Sequence, residues 1–207
     1  MSIDMFEPED FHNLLPKNDD FMATLEEDGL KKGVRICGPD VANMLSVLIK
    51  SLGAHRVLEI GTAVGYSTIF MARALPEGGR ITTMEWDEEI VKEANENFRT
   101  TGLEDRIESL VGDAREMMKE LEPGTFDVIF MDHEKYMYAD DLPGCVRLLR
   151  DGGTLICDNV AFRTSGDFKE RLAGHPQLET TFIYGTFYRH SPDEDVVSIS
   201  VKKSVQG

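Results

Sequence analysis

The chain has 207 residues, of which 41% are hydrophobic and 29% charged, as expected for a globular protein with one well-packed domain. Asp and Glu number 38 against 22 Lys and Arg, so the formal net charge is −16. A field of that sign repels phosphate backbones, so nucleic acid is not expected as a partner.

The chain also lacks the marks of secretion and membrane insertion. The first twenty residues are acidic and are interrupted by Pro8 and Pro16, unlike a signal peptide. No apolar run approaches the ~18 residues that span a bilayer. Three cysteines without close spacing (Cys37, Cys145 and Cys157) argue against a disulfide framework and a zinc cluster. We therefore expect a cytoplasmic protein with no membrane association.

Strands and helices alternate through the middle of the chain. Short apolar runs predict strands at residues 56–60, 80–84, 107–111, 126–131 and 154–157, the last after a turn at 151–153. Helical spacing of apolar residues predicts helices at 41–52, 67–75, 87–101, 114–121 and 139–149. This alternation predicts an α/β fold, with a mostly parallel, Rossmann-like sheet that is covered by helices on both faces.

The two ends of the chain differ from the middle. Residues 1–35 are acidic with scattered Phe, Leu and Met, and we expect one or two helices that lie across the core formed by residues 36–207. Residues 180–188 and 196–202, joined by a polar loop at 191–195, predict an antiparallel hairpin at one sheet edge. No linker or internal repeat is visible, so residues 1–207 are predicted to be one domain.

The first strand leads into a glycine turn that opens a helix, from Glu59 through Gly61 and Gly65 to Ser67. Such a turn lets the backbone approach a ligand closely. A dinucleotide fingerprint would need glycine where Ala63 and Tyr66 stand, and a P-loop would need Gly-Lys-Ser/Thr. The remaining pattern, E-x-G-x-x-x-G, is that of Rossmann-like methyltransferases.

Polar residues follow the next two strands. Glu85 comes directly after the second strand, where a carboxylate can accept hydrogen bonds from two ribose hydroxyls. Gly112, Asp113 and Ala114 follow the third strand and could face an adenine edge. Each feature alone could be only a turn or the start of a helix. All three in register with successive strands favour a nucleoside-containing cofactor.

Acidic residues close the fourth and fifth strands. Asp132 follows the fourth, and Asp158 and Asn159 follow the fifth, so the three should converge at the cofactor side of the sheet. Two carboxylates and an amide oxygen suit a hard divalent ion, although each residue alone could be a turn or cap residue. His133 lies nearby, whereas the other histidines, including His190, show no ligand spacing, so zinc is not expected.

Four segments together resemble the metal-dependent catechol and caffeoyl-CoA O-methyltransferases. They are VLEIGTAVGYS (57–67), ITTMEWD (81–87), MDHEKYMY (131–138) and GGTLICDNV (152–160). The resemblance covers about residues 35–162 and extends more loosely to the C-terminus. It implies an S-adenosylmethionine-dependent O-methyltransferase that acts on a small-molecule hydroxyl of the catechol-like vicinal diol type.

The resemblance also implies individual roles. S-adenosylmethionine would be bound by Cys37, Glu59, Gly61, Thr62, Ser67, Glu85, Asp113, Ala114 and His133. Asp132, Asp158 and Asn159 would hold Mg²⁺ or a similar ion such as Mn²⁺ or Ca²⁺. Lys135 would be the general base, with Asp132 as the second catalytic residue. Lys135 is three residues from Asp132, and a nearby cation and partial burial favour the neutral amine that a base requires.

The chain departs from the catechol enzymes at two positions. Glu134 stands where they carry a tryptophan, and the match to their late, catechol-orienting glutamate falls near Phe187. Both differences bear on the substrate rather than on the reaction type. The alternatives are a methyltransferase of tRNA or another macromolecule, a cofactor-binding protein without catalysis, and a nicotinamide oxidoreductase, which the glycine pattern disfavours. The resemblance also makes a homodimer possible.

Overall fold

A computed structural model of the chain describes residues 11, 14–16, 18–190 and 192–204. Seven strands form one sheet in the order β3-β2-β1-β4-β5-β7-β6. They are β1 (Arg56–Ile60), β2 (Arg80–Glu85), β3 (Ile107–Val111), β4 (Phe126–Met131), β5 (Leu149–Cys157), β6 (Leu178–Thr186) and β7 (Glu194–Lys202). The first five are parallel, and β7 runs antiparallel to both β5 and β6. The predicted parallel sheet with an antiparallel edge hairpin is confirmed.

The described helices lie between the strands or before them. They are α1 (Asp20–Lys32), α2 (Gly38–Leu52), α3 (Tyr66–Ala74), α4 (Glu88–Thr100), α5 (Ala114–Glu120), α6 (Tyr138–Leu148) and α7 (Phe168–Ala173). Single 3₁₀ turns lie at Glu104–Arg106, Lys135–Met137 and Arg163–Ser165. None of the described helices is both long and apolar enough to cross a membrane.

Apolar side chains from successive strand residues enter two separate cores, because strand side chains alternate between the two sheet faces. Val57 of β1 packs in a core with α1, α2, α3 and α4, whereas Leu58 packs in a core with α5, α6 and α7. In β4, Phe130 joins the first core and Ile129 the second. The prediction of helices on both faces is confirmed.

Two helix starts behave as their sequence predicts. Asp87 caps α4 by accepting hydrogen bonds from the backbone nitrogens of Glu89 and Ile90. Asp113 caps α5 in the same way. These caps place both helices at the carboxyl ends of β2 and β3, which is the edge of the sheet where ligands bind in such folds.

Two predicted boundaries are wrong. The predicted turn at 151–153 lies inside β5: Phe126 pairs with Leu149 and Val128 with Thr154, so the residues between them form a bulge. The hairpin also lies about two residues earlier than expected, with β6 at Leu178–Thr186 and its loop at 187–193. Leu178 is buried against the second core, and that contact sets where β6 begins.

Helix α1 is fastened to the rest of the molecule through one buried acid, Glu26. Its carboxylate accepts hydrogen bonds from Asn18 (2.6 Å), Tyr66 (3.0 Å) and Arg189 (2.5 Å). Tyr66 begins α3, and Arg189 lies in the hairpin loop. The predicted helical cover at 1–35 thus includes α1, while residues 1–10, 12, 13 and 17 lie outside the described part of the chain.

Candidate active site

A cavity of about 460 Å³ opens at the carboxyl ends of β1, β2, β3 and β4. The strand order reverses between β1 and β4 at this edge, which is the usual ligand position in doubly wound sheets. Its size is that of a small-molecule site. Among the predicted site residues, those that line it are Cys37, Gly61, Thr62, Ser67, Glu85, Asp113, Ala114, Asp132, His133, Lys135 and Asn159.

The glycine turn after β1 packs directly on the end of β4. Gly61 has φ +103°, and a Cβ placed on it would lie 2.7 Å from the carbonyl oxygen of Asp132. Only glycine fits this approach without a shift of the backbone. The cofactor-type turn and the acidic end of β4 are therefore neighbouring walls of one cavity.

Glu59 is fully buried and does not line the cavity. Its carboxylate accepts hydrogen bonds from Ser67 (2.5 Å), Thr68 (2.5 Å) and Thr83 (2.6 Å). Burial, against which these hydrogen bonds act, raises the pKa of Glu59 to about 7. The expectation that Glu59 contacts a cofactor directly is therefore corrected. Its carboxylate is bound by three hydroxyls behind the cavity wall, and it would influence a ligand only through Ser67, which lines the cavity.

Glu85 joins the end of β2 to the glycine turn. One carboxylate oxygen accepts from the backbone nitrogen of Ala63 (3.1 Å), and the other accepts from those of Trp86 (3.0 Å) and Asp87 (3.3 Å). These three N–H groups hold the side chain in place at the cavity wall. A carboxylate so oriented can receive two neighbouring hydroxyls, as predicted for a ribose.

Asp113, Thr62 and Cys37 also line the cavity wall on the cofactor side, each in a different environment. Asp113 uses one carboxylate oxygen to cap α5, through the nitrogens of Arg115 (2.8 Å) and Glu116 (3.4 Å). The Thr62 hydroxyl lies 2.6 Å from that of Thr83. Cys37 precedes α2, and burial raises the pKa of its thiol, so the group is uncharged at neutral pH.

His133 is oriented by a chain of charged groups behind the cavity. Its Nε2 lies 2.9 Å from Asp141, whose other oxygen accepts from Arg115 at 2.9 Å. Burial acts to raise the pKa of Asp141, but the hydrogen bonds from His133 and Arg115 outweigh it, so that the pKa is lowered. Asp141 therefore holds the ring as a carboxylate, and the buried Nδ1 of His133 has no protein partner among the described residues.

Asp132 and Lys135 form an ion pair at the end of β4, 2.6 Å apart. Both side chains are mostly buried. Lys135 opens the 3₁₀ turn after β4 and lies 5.3 Å from the ring centre of Tyr138. The amine of Lys135 and the carboxylate of Asp132 therefore lie side by side in the wall of the cavity.

Asp158 lies just behind the cavity wall, almost completely buried. Burial and the charge of Asp132 raise its pKa to about 6. Nε2 of His190 lies 2.9 and 3.0 Å from its two carboxylate oxygens. Burial would lower the pKa of His190, but the hydrogen bond and charge of Asp158 raise it to about 9. The expectation that His133 is the only histidine near this end of the site is wrong, because the hairpin loop brings His190 into contact with Asp158.

Asn159 is held in a left-handed conformation, with φ +55°, which asparagine tolerates better than most residues. Its Nδ2 donates to Asp195 at 2.6 Å. Asp195 is fully buried and also accepts from the backbone nitrogens of Ala161 and Val196. Because Nδ2 is directed at Asp195, the amide oxygen is turned away from that carboxylate.

The donor set of Asp132, Asp158 and Asn159 fits a hard divalent ion: two carboxylates supply charge, and the amide supplies a neutral oxygen. The carboxylates are paired with Lys135 and His190, respectively. Within the described part of the chain, no three His, Cys, Asp or Glu side chains already converge as a cation site. A bound ion would therefore have to share the two acids with the side chains that now pair with them.

Several residues at the cavity carry no local signal in the sequence. Trp86 and Arg35 line the wall, and His190 and Asp195 support the acidic end. His190 lies 32 positions after Asp158 and comes near it through the β6–β7 hairpin. Of these residues, only Trp86 could have been identified from its position in the sequence, because it directly follows Glu85 at the end of β2.

Comparison with known proteins shows the family of the chain. The family model for O-methyltransferases matches residues 17–180. The chain is 37% identical over 153 residues to a catechol O-methyltransferase of Mycobacterium tuberculosis, covering 67% of this chain and 69% of the relative. It is also 37% identical over 125 residues to one of Niastella koreensis, covering 59% and 57%, respectively. The match to the Niastella relative thus spans less than two thirds of that protein.

A solved structure extends the likeness to nearly the whole chain. The O-methyltransferase from Bacillus cereus in complex with SAH superposes with a TM-score of 0.85 at 26% identity, covering 94% of this chain and 96% of that one. The family match, the fold and the arrangement of residues around the cavity lead to the same assignment. The chain belongs to the O-methyltransferase family.

Proposed function

We propose that the protein transfers the methyl group of S-adenosylmethionine to a hydroxyl of a small molecule, with the help of a divalent ion. The proposal rests on one observation, that a single cavity is lined by two groups of residues. Gly61 and Glu85 line its cofactor side, and Asp132, Lys135 and Asn159 line its acidic side. A methyl donor and a hydroxyl acceptor could thus meet in one enclosed space. Holding two reactants in this way can supply ~7–11 kcal/mol of the barrier.

The donor side offers one contact for each part of S-adenosylmethionine. Glu85 would accept from the ribose hydroxyls, since its carboxylate is already oriented by backbone N–H groups. Asp113, Ala114 and His133 would surround the adenine. Cys37 and Ser67 would lie near the amino-acid end, with Glu59 acting through the Ser67 hydroxyl. The SAH complex of the Bacillus cereus relative supports a cofactor of this class.

Lys135 is the proposed general base. It lies on the cavity wall, paired with Asp132, and its neutral amine would take the proton of the attacking hydroxyl. Asp132 would orient that amine through the contact seen at 2.6 Å. The anionic oxygen so formed would attack the methyl carbon of the sulfonium. The new O–C bond forms as the C–S bond breaks, and S-adenosylhomocysteine leaves as a neutral thioether.

Asp132, Asp158 and Asn159 are the proposed ligands of the divalent ion, and Mg²⁺ is the predicted ion. When bound, it would lower the pKa of a chelating hydroxyl and hold it in place. Two adjacent hydroxyls can chelate one ion together, so we propose a catechol-like vicinal diol as substrate. The catechol O-methyltransferase relatives support this substrate class.

A transfer assay with labelled S-adenosylmethionine tests the proposal. The purified chain is incubated with catechol and, separately, with phenol, each in Mg²⁺ and in excess chelator. We expect labelled product from catechol with Mg²⁺ and little from phenol or from either compound in chelator. Transfer that persists in chelator would contradict the role of the ion. If no hydroxyl compound is methylated, the proposed transfer fails and only cofactor binding remains of the proposal.

A further inference from the structure

His190 lies at the cavity wall beside Asp158 and Asn159, two of the proposed metal ligands. It is 5% exposed and lines the cavity, whereas Asp158 lies behind the wall. Its Nε2 is 2.9 and 3.0 Å from the Asp158 oxygens and 3.3 Å from Asn159 Nδ2. One imidazole nitrogen thus touches two of the three proposed metal ligands.

The other ring nitrogen sets the tautomer. Nδ1 of His190 lies 2.7 Å from the carbonyl oxygen of Pro192, a group that can only accept. Nδ1 therefore donates to that carbonyl, and Nε2 is the ring nitrogen that faces Asp158. A contact of 2.9 Å between an imidazole nitrogen and a carboxylate needs a proton or a metal ion between the two groups. Metal-binding histidines are commonly arranged in this way, with the outer nitrogen donating to a backbone carbonyl.

The surroundings of the ring fix its position. Phe187 lies 5.4 Å from it, centre to centre, and Asp195 Oδ2 is 4.0 Å from Nδ1. Gly38 packs against the loop between β6 and β7 that carries His190. With φ +71°, a Cβ on Gly38 would lie 2.8 Å from the carbonyl oxygen of Tyr188. His190 is thus held by packing on several sides rather than resting on Asp158 alone.

The distance to Asp158 also suits a shared ion. Metal–nitrogen and metal–oxygen bonds are about 2.1 Å long, so two ligands at right angles around one ion lie about 3 Å apart. His190 Nε2 and the Asp158 oxygens already have that separation. An ion could therefore bind between them with little rearrangement of either side chain.

We infer that His190 is a fourth protein ligand of the divalent ion, beside Asp132, Asp158 and Asn159. This inference rests on the proposed metal dependence and extends it to the choice of metal. Imidazole nitrogen favours later transition ions, whereas Mg²⁺ prefers oxygen alone. The site therefore binds Co²⁺ more tightly than Mg²⁺, and His190 supplies much of that difference.

Pulsed electron paramagnetic resonance of the Mn²⁺-loaded wild-type chain tests the inference without any substitution. A directly bound imidazole gives ¹⁴N modulation of the Mn²⁺ signal, which an all-oxygen site lacks. Variants then assign the nitrogen: His190→Gln and His190→Asn remove the imidazole. His55→Gln is the control, because His55 is exposed at the opposite end of β1. Thermal unfolding checks that each variant is folded.

We expect ¹⁴N modulation in the wild type and in His55→Gln, and its loss in the His190 variants. Calorimetry should show that Co²⁺ binding weakens by about tenfold or more in the His190 variants, while Mg²⁺ binding changes less. Mn²⁺ binding to the wild type without ¹⁴N modulation would overturn the inference and leave metal dependence intact. So would modulation that persists in a folded His190 variant, or metal binding that tightens there. If no ion binds to the wild type, the proposed metal dependence fails as well.

Discussion

Gly61 and Asp132 are in backbone contact: a Cβ on the glycine would lie 2.7 Å from the aspartate carbonyl oxygen and 2.9 Å from the nitrogen of His133. This approach joins the glycine turn after β1 to the acidic segment after β4. The two parts of the cavity, one for the methyl donor and one for the acceptor, are therefore positioned by a single contact.

Gly61→Ala should damage both parts of the site. The new Cβ would strain a φ of +103° and clash with backbone, so we expect a loss of about 2–4 kcal/mol in the free energy of unfolding and a large loss of S-adenosylmethionine affinity. Denaturant unfolding measures the first. Fluorescence titration of Trp86, the single tryptophan of the chain and a cavity-lining residue, measures the second.

Gly124→Ala is the matched control for strain alone. Gly124 has φ +67°, but a Cβ there would meet no atom within 4 Å. We expect it to cost about 1 kcal/mol and to leave cofactor affinity unchanged. Equal effects of the two substitutions would contradict the role assigned to the Gly61–Asp132 contact.

Lys135→Arg should separate the charge of this residue from its function as a base. Arginine keeps the positive partner for Asp132, which Lys135 contacts at 2.6 Å, but it remains protonated and cannot accept a proton. We expect kcat to fall by about 10²–10⁴-fold, with little change in the fluorescence titration of S-adenosylmethionine. Lys169→Arg, at an exposed position in α7, is the control. Full turnover in Lys135→Arg would rule out Lys135 as the base.

Glu59 should make stability depend on pH. Its pKa rises from 4.5 to about 7 in the folded chain, so between these values the folded chain holds a proton that the unfolded chain has lost. The resulting stability is present below pH 4.5 and is lost as the pH rises through 7, a change of about 3 kcal/mol. Glu59→Gln lacks this contribution.

Urea unfolding at several pH values tests that sign. The stability of the wild type relative to Glu59→Gln should decrease from pH 4.5 to pH 7.5. Glu122→Gln, at an exposed position before β4, provides the comparison. A wild-type advantage that stays constant or grows with pH would show that Glu59 is already ionised in the folded chain.

The strands and most helices could be predicted because their apolar periodicity is local. The RVLEI run of β1 and the Asp87 cap of α4 are complete signals within a few residues. The bulge in β5 could not be predicted, because Asp151, Gly152 and Gly153 are turn residues by composition. They lie within a strand because Leu149 and Thr154 on either side of them pair with β4. The cytoplasmic location and the homodimer stay predictions.

The cavity residues after each strand were predictable for the same reason: parallel strands bring their carboxyl ends to one edge. Glu59 shows the limit of that reasoning. It precedes the glycine turn, but strand alternation directs its side chain into a group of buried hydroxyls. His190 and Asp195 were missed because each reaches the site through the long-range β5–β7 pairing, which leaves no spacing in the sequence.

Asp195→Asn should weaken metal binding although none of the proposed ligands is substituted. Asp195 accepts from Asn159 Nδ2 at 2.6 Å, and an amide there would lose part of that orientation. We expect metal affinity to fall about tenfold or more, with S-adenosylmethionine affinity unchanged. Calorimetry with Mn²⁺ measures this, and Asp193→Asn, two residues away and exposed, is the control. Equal metal affinity in both variants would mean that Asp195 does not position Asn159.

The most direct test is calorimetric titration, first with S-adenosylmethionine alone. The chain is then saturated with SAH, which has no methyl group to donate, and titrated with catechol, once in Mg²⁺ and once in excess chelator. Asp132, Lys135 and Asn159 line the same cavity as Glu85 and Gly61, so the account predicts one bound catechol per chain in Mg²⁺ and no measurable binding in chelator. Equal binding in both would contradict the proposed metal-held acceptor. Failure of S-adenosylmethionine to bind at all would contradict the proposed function itself.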